Sequence, residues 1–518
     1  MVLSILLSSF LAAAAPAPAA PGFQTPQQGH TLVAPFGSQD THLVDEGGNT
    51  IHTWPGTALP GNATYLLENG NLVRMYKVSG SPGSVIGGSG GGVQEIDWAG
   101  NLVWDYQVAT QTEILHHDLA ILPNGNLLLM KFEDLGDVAA LALGRDPAIV
   151  TTSTFWSEVI IEFDRETQSI VWEWHAADHV VQDFDPLAPD FDVIADRPER
   201  LNINFPFESP PNGDWTHCNA VAYSSELDQV AISAPFLDEI WVIDHGTTTA
   251  EAAGSTGGLR GRGGDLLYRW GNPRSYDRGT IADQTLWNQH DIQWIAEGRP
   301  GAGNMLVLNN GNDRPGGPFS TVDEFVTPVL LDGTYTLPVG GIYGPSAATW
   351  SWQDPVPANF FTGFIGGAER QPNGNTLIIE GGSGRIFEVD DTDAVVWTYL
   401  NPSGTPVFKA RRYQKFLFPG DATLSAAVGG QVALDLVGGN TFAARDYFLA
   451  MRVVPGPPSL QRVILDFGTL DASGLASFTL DTLGPLPAAA VGRSVEIAWG
   501  TQGPRDFLSD VVVVEILP

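Results

Sequence analysis

QHDIQWIAEGRPGAGNMLVLNNGNDR, residues 289–314, opens with His290 after one glutamine, alternates apolar side chains at Ile292 and Trp294, and turns through Gly301-Ala302-Gly303-Asn304. It returns as the apolar run from Met305 to Leu308. Period-two alternation on both sides of a Gly/Asn turn predicts a β-hairpin with a histidine at its mouth. The same order recurs along the chain. His117 precedes DLAIL, a turn at Pro123-Asn124-Gly125-Asn126 and LLLMKF, and His217 precedes NAVAY, a turn and QVAIS.

Working outward, five modules of four short strands follow one another from Asn62 to about residue 400, several closing on an aromatic residue such as Trp104, Trp172, Trp270 or Trp397. Residues 31–54 supply three more strands with no partner before them. After the fifth module one strand, PVFKARRYQ, remains near Arg411. Joining the two ends makes a sixth module built from both sides of the repeat. Ring closure of that kind hides the sheet edges and is the device of a β-propeller. A row of independent sandwiches is the competing architecture, and aromatic-closed four-strand repeats weigh against it. Past Pro419, segments such as QVALDLVG, QRVILDFG and SVEIAWG predict a β-sandwich. The expected fold is therefore all-β, with residues 23–418 a six-bladed β-propeller and residues 419–518 a C-terminal β-sandwich.

Composition narrows the partners. Lys and Arg number 25 against 59 acidic residues, a formal charge of −34, which repels nucleic acid and anionic membrane surfaces. The apolar run at residues 2–15 is too short to span a bilayer and has the length of a secretory signal core, although no Lys or Arg precedes it. Residues 1–22 are read as that signal, and the mature chain as exported, periplasmic or extracellular, with no membrane span. Cys218 is the only cysteine, so no intramolecular disulfide forms. The glycine-rich stretch 83–92 lacks a phosphate-loop lysine and reads as a flexible connection.

Counting back seven residues from the first asparagine of the turns at Asn69, Asn124 and Asn373 reaches Asn62, His117 and Gly366, the starts of the innermost strands. The matching starts in modules three and four are His217 and His290. In a propeller these positions ring the mouth of the central channel, so His117, His217 and His290 are expected to converge. Asp118 and Asp291 directly follow two of them and are expected to fix a tautomer by accepting the other ring proton. On an alternating strand His116 should point away from His117. His175, His179 and His245 fall at strand ends or in an insertion, where loop or surface roles are expected. Three histidines suit an open zinc site or nucleophilic catalysis by a neutral imidazole, and a non-catalytic propeller binding protein or glycan stands beside both.

The strings ILHHDLAILPNGNLLL, DWTHCNAV, EIWVIDHGTTTAEA, GGDLLYRWGNP, QHDIQW with PGAGNMLVLNNG, and RQPNGNTLIIEG with GRIFEV together resemble the bacterial arylsulfate sulfotransferases. The likeness covers residues 30 to 415. It implies a six-bladed periplasmic propeller that moves a sulfuryl group from a phenol sulfate ester to a phenol through a sulfohistidine, with no PAPS, cofactor or metal. Position by position, His290 matches the family's nucleophile, and His117 and His217 match its other channel histidines. One departure stands out: where the family carries a pocket arginine after the second channel histidine, this chain reads ISAPF, with Ala234 and Pro235. Arg314 and Arg370 are the expected substitutes. On this reading neutral His290 attacks sulfur, His117 serves as acid and then base, and His217 donates to the sulfuryl oxygens. Asn62 joins the substrate-binding set, and Trp294, Trp287 and Phe364 are candidates to stack on the aryl ring.

Overall fold

Short alternating runs separated by Asn-Gly turns build antiparallel hairpins, and the turn chemistry shows how. The asparagine side chain accepts from the backbone N–H two residues on, Asn69 from Asn71, Asn124 from Asn126 and Asn373 from Asn375, each at 3.0 Å. The glycine takes the left-handed conformation that completes the turn, with φ +87° at Gly125. The computed structural model describes residues 25–413 except 68, 81–85 and 207–210. Beyond 416 it describes 417–419, 423–425, 430–437, 444–454, 463–471, 475–481, 486–491, 493–501, 509 and 512–517. The expected signal segment lies outside the described residues.

Six four-stranded antiparallel sheets form the blades. Blade one starts at Pro60–Leu66, blade two at Glu113–Ile121, blade three at Ala220–Ser224, blade four at His290–Trp294 and blade five at Gly367–Arg370, each innermost strand followed by its partners in chain order. Blade six pairs Arg411–Tyr413 with His30–Val33, then Thr41–Val44 and Thr50–Trp54. Thr31 lies opposite Arg412, so strands from both ends of the repeat complete that sheet as the sequence predicts.

Each blade shares a buried apolar cluster with the next. Val73 and Ile161 join blades one and two, Ile160 and Trp241 blades two and three, Val242 and Met305 blades three and four, and Leu306 and Ile378 blades four and five. Val44 and Leu377 join blades five and six, and Leu43 and Leu72 join six to one, closing the ring. The aromatic closers of the sequence repeat add a second tie. At five of the six boundaries an indole N–H donates across: Trp54 to the Asp97 carbonyl, Trp172 to Thr247, Trp270 to Pro345, Trp352 to Asp393 and Trp397 to Glu46, whereas the Trp104 N–H of blade one is buried without a partner.

An ion cluster at the axis ties the closing strand to the rest. Lys409 Nζ reaches Asp118 of blade two at 2.6 Å and Asp291 of blade four at 2.8 Å. Arg411 donates twice to Asp291, at 2.6 and 2.9 Å, and Tyr65 of blade one donates to Asp118 at 2.7 Å. Burial works to raise the Asp291 carboxyl, but Arg411 and Lys409 outweigh it and hold it down to about 2.

After the ring, Leu417–Pro419, Gln431–Val437 and Leu475–Asp481 form one sheet. Thr423–Ser425, Val512–Leu517, Ser494–Thr501, Asp446–Val454 and Val463–Thr469 form another. A core of Val432, Leu434, Leu449, Ile497, Trp499 and Val514 joins them as two faces of a sandwich. Val437 also enters the cluster of blades six and one.

Two histidines differ from the loop and surface roles expected. His179 is fully buried, with Nδ1 at 2.9 Å from Asp265 and Nε2 at 2.8 Å from the Ala252 carbonyl, because the insertion folds over it. His245 bridges two blades, between Asp228 at 2.7 Å and Glu162 at 3.1 Å.

Replacing Lys409 with Met leaves Asp118 and Asp291 buried with their shared cation gone. The expected loss is about 3–5 kcal/mol, read as a lowered midpoint in urea unfolding followed by tryptophan fluorescence.

Candidate functional site

The innermost strands do not start as regular β-structure. His117, His217 and Asp291 take left-handed backbone, φ +47°, +48° and +59°, and pairing slips between Leu115 and Leu119 and between His290 and Gln293. Non-glycine residues in this region cost energy and concentrate at functional sites. The slip cancels strand alternation at His116. That ring does not point away from its neighbour: His116 Nδ1 and His117 Nδ1 are 2.9 Å apart.

The kinks bring two of the predicted histidines into contact. The His117 and His217 rings lie 4.9 Å apart, edge to face, and His217 stacks on Phe236 at 4.7 Å. His217 Nδ1 is held by the Asp214 carboxylate, which leaves Nε2 for the site. His290 sits across the same end of the channel. The Ile365 N–H meets its Nε2 at 3.2 Å, and Ile365 and Phe408 share a core cluster in which Phe408 faces His117, ring centroids 6.0 Å apart.

Asn310 fixes the His290 tautomer. Its amide N–H groups donate to the Thr362 and Ile365 carbonyls at 2.6 and 3.1 Å, so its oxygen, 2.8 Å from His290 Nδ1, accepts. The proton is therefore on Nδ1 and the lone pair on Nε2. Burial lowers His290 to about 4 against the pull of the Asn310 bond, with the charges of His217 and Lys409 adding to the decrease. Burial likewise drives His117 well below the usual imidazole range, helped by His217, His116, His290 and Lys409. Both rings are neutral at pH 7.

The glycine-rich stretch, expected to be a flexible connection, lies against these rings where it is described. A Cβ on Gly88, which has φ +76°, would fall 1.9 Å from His117 Cε1, and one on Gly87 would fall 3.1 Å from His217 Cε1. The Gly88 carbonyl accepts from the His117 backbone N–H at 3.0 Å and from Asn62 Nδ2 at 2.8 Å. Asn62 thus positions the strap that covers His117.

Other expected contributors lie elsewhere. Asp118 and Asp291 do not hold histidine tautomers, because Lys409 and Arg411 occupy their oxygens; Asp214 and Asn310 take that role for His217 and His290. Arg370 pairs with Glu324 at 2.5 Å and covers Trp350, across the boundary between blades five and four. Arg314 lies over Phe319 and donates to Thr321 at 3.1 Å within its own hairpin. Neither of these contacts brings the cation to a channel histidine. Trp294, four residues down the strand from His290, lines a cavity of about 360 Å³ with Tyr65, Glu369 and Arg411 at the far end of the channel. Trp287 is buried, whereas Phe364, directly before Ile365, is half exposed at the histidine end.

Lys409, Asp214, Asn310 and the glycine strap were not singled out by sequence reasoning. Only Lys409 left a readable signal: Lys409 and Arg411 share one face of an alternating closing strand. Among the described residues no group of three or more His, Cys, Asp or Glu side chains converges as a metal site.

The sequence profile of the family Arylsulfotransferase (ASST) matches residues 78–327, a span that contains all three channel histidines. That match supports the arylsulfotransferase family for the segment that carries the channel histidines. No curated protein matches it by sequence. Among solved structures, virginiamycin B lyase from Staphylococcus aureus is 10% identical over 73% of this chain and 83% of its own, with a TM-score of 0.34. The hydrazine synthase of Kuenenia stuttgartiensis is 14% identical over 57% and 68%, with a TM-score of 0.33.

Gly88→Ala forces the His117 ring aside. Turnover of an aryl sulfate should fall by about 100-fold, the scale of a 1 Å misplacement, and the urea midpoint should drop as well, because alanine at φ +76° is strained; steady-state kinetics beside an unfolding curve checks both.

Proposed function

We propose that the chain is a PAPS-independent aryl-sulfate sulfotransferase that works by a ping-pong route through sulfated His290. The observation that carries this reading is the His290 environment: a buried neutral imidazole, its Nδ1–H fixed on Asn310 and its Nε2 lone pair accepting from the Ile365 N–H, a bond that attack on sulfur exchanges, at the channel end where His117 and His217 meet. Those are the requirements of a nitrogen nucleophile beside an acid–base partner.

A sulfate monoester carries one SO₃ group with its charge spread over oxygens, so positioning and electrostatic stabilisation should dominate, as in phosphoryl transfer. His290 Nε2 attacks sulfur, and the bond to the aryl oxygen breaks. His117 gives a proton to the departing phenolate, whose conjugate acid has a pKa of about 10. An acceptor phenol then loses its proton to His117 as its oxygen takes the sulfuryl group from His290.

The oxygens of that group need donors, and the ion cluster offers no spare charge, since Lys409 and Arg411 are matched by Asp118 and Asp291. His217 in its imidazolium form is one donor, through Nε2–H, since its Nδ1–H is already given to the Asp214 carboxylate. The Ile365 N–H is the second, because it meets the nitrogen that becomes sulfated. Ile365 holds φ +48°, a strained conformation for a β-branched residue that aims this N–H. Phe364 replaces Trp294 as the candidate aryl contact. Export by the apolar run at residues 2–15 and a division of the chain near residue 418 belong to the same proposal.

Incubation with p-nitrophenyl sulfate and phenol, without added metal, should release nitrophenol in proportion to acceptor. An alkaline quench after donor alone should leave a sulfuryl mass on the peptide carrying His290 and none in His290→Ala. Release that needs metal supports a hydrolase, and no release supports a binding protein.

The acid limb tests the neutral nucleophile. Protonation removes the Nε2 lone pair, and His290 is lowered to about 4. Adduct formation should therefore persist to about pH 5 and fall only near 4; a limb at the ordinary histidine value of about 6.5 contradicts the assignment.

A further inference from the structure

Behind His117 runs a row of buried groups that the transfer chemistry above leaves unused. His116 presents Nδ1 to His117 Nδ1 at 2.9 Å, lies flat on Phe132 with centroids 3.5 Å apart, and has Nε2 3.3 Å from Glu158 Oε1. Glu158 comes from the strand Trp156–Asp164, where it is paired with Phe132, and neither side chain of the His116–Glu158 pair is exposed. The 3.3 Å contact is a close approach without hydrogen-bond alignment, and among the described residues both Glu158 oxygens and His116 Nε2 are buried with no nitrogen or oxygen hydrogen-bond partner. The Cys218 thiol and Asp214 face the carboxyl from the His217 segment, and His217 acts on His116.

Burial pushes the Glu158 carboxyl well above its usual range, with Asp214 adding to the rise, and pushes His116 well below the usual imidazole range. Burial thus favours a carboxylic acid and two neutral imidazoles in this row. Only one proton can lie between the facing Nδ1 atoms.

Resting on the transferase reading, we propose that Glu158 and His116 form a proton relay that turns His117 from acid to base between the two half reactions. Before transfer, the Glu158 O–H faces His116 Nε2, His116 Nδ1–H donates to His117 Nδ1, and His117 carries its proton on Nε2. When that proton passes to the departing phenolate, the His116 Nδ1 proton moves to His117 Nδ1 and the Glu158 proton moves to His116 Nε2. The products of this half are a phenol, sulfated His290, a Glu158 carboxylate and two neutral imidazoles. His117 Nε2 now holds a bare lone pair. As the acceptor oxygen bonds to sulfur and the bond to His290 breaks, the acceptor proton enters at Nε2 and the other two protons move back. Neither ring becomes an anion, and the negative charge in the relay is carried by Glu158 alone.

Glu158 and His116 are positioning residues that act through His117, and Glu158→Gln isolates that role. Glutamine keeps the shape and a donor for His116 Nε2 but yields no proton. In single turnover without acceptor, the burst of phenol from phenyl sulfate, whose leaving phenolate needs a proton, should slow by about 100-fold or more, in the range of lost general acid catalysis. The burst of nitrophenolate from p-nitrophenyl sulfate, whose phenolate leaves without one, should slow by less than about threefold. Glu158→Asp should recover part of the phenyl sulfate rate.

Infrared difference spectra give a readout apart from turnover. The resting wild type should show the carbonyl stretch of a protonated carboxyl, absent in Glu158→Gln and bleached in the wild type once phenyl sulfate is added without acceptor. Equal losses on both donors mean a merely structural Glu158 and overturn the relay, as does a resting wild type without that band. A wild type inactive on both donors overturns the transferase reading itself, whatever the carboxyl band shows.

Discussion

The bridge that Lys409 makes between Asp118 and Asp291 ties three blades together at the channel axis. It brings a cation from the strand that completes blade six onto carboxylates of blades two and four. Those carboxylates directly follow His117 and His290 in sequence, so the bridge holds the backbone from which both rings project. Desolvating four charges is costly, and the cluster answers that cost with matched signs, bidentate geometry at Arg411 and the Tyr65 hydroxyl. Apolar packing closes the ring; the ion cluster sets where the histidines stand within it.

Around that anchor, the histidine end of the channel is built to keep imidazoles uncharged. Burial, neighbouring rings and the Lys409 charge act in one direction on His117 and His290. Each ring then has a polar partner that sets its orientation: Asn310 for His290, Asp214 for His217 and His116 for His117. Backbone strain at His117, His217, Asp291 and Ile365 is concentrated in the same layer, as expected where local geometry serves chemistry rather than stability.

Much of this was legible in the sequence. Alternation and Asn-Gly turns gave the strands, and the orphan segments at 31–54 and near Arg411 gave the ring closure. The spacing from turn to strand start picked out His117, and the matching starts of modules three and four picked out His217 and His290. What failed was inference by proximity along the chain. Asp118 and Asp291 were assigned to their neighbouring rings, yet a left-handed kink turns residue i and residue i+1 toward different partners. The same kink misled the reading of His116. Asp214, Asn310 and the Gly87-Gly88 strap reach the site from other segments through tertiary folding, which no periodicity encodes. Arg314 and Arg370 looked available only because Phe319, Thr321 and Glu324 are invisible as partners until the sheets are packed.

The join in blade six has a consequence for how the molecule comes into being. Arg412 reaches Thr31 across 381 positions of chain, and contacts of such long sequence range are paid for in loop entropy before they return any stability. A nascent polypeptide lacking its last hundred-odd residues still ends close to this strand, whereas one stopped short of Lys409 holds five sheets with an open seam and two axial carboxylates without their cation. Competence therefore arrives late in biogenesis, when the latch is finally delivered, and partly made chains carry the histidines without the frame that aligns them.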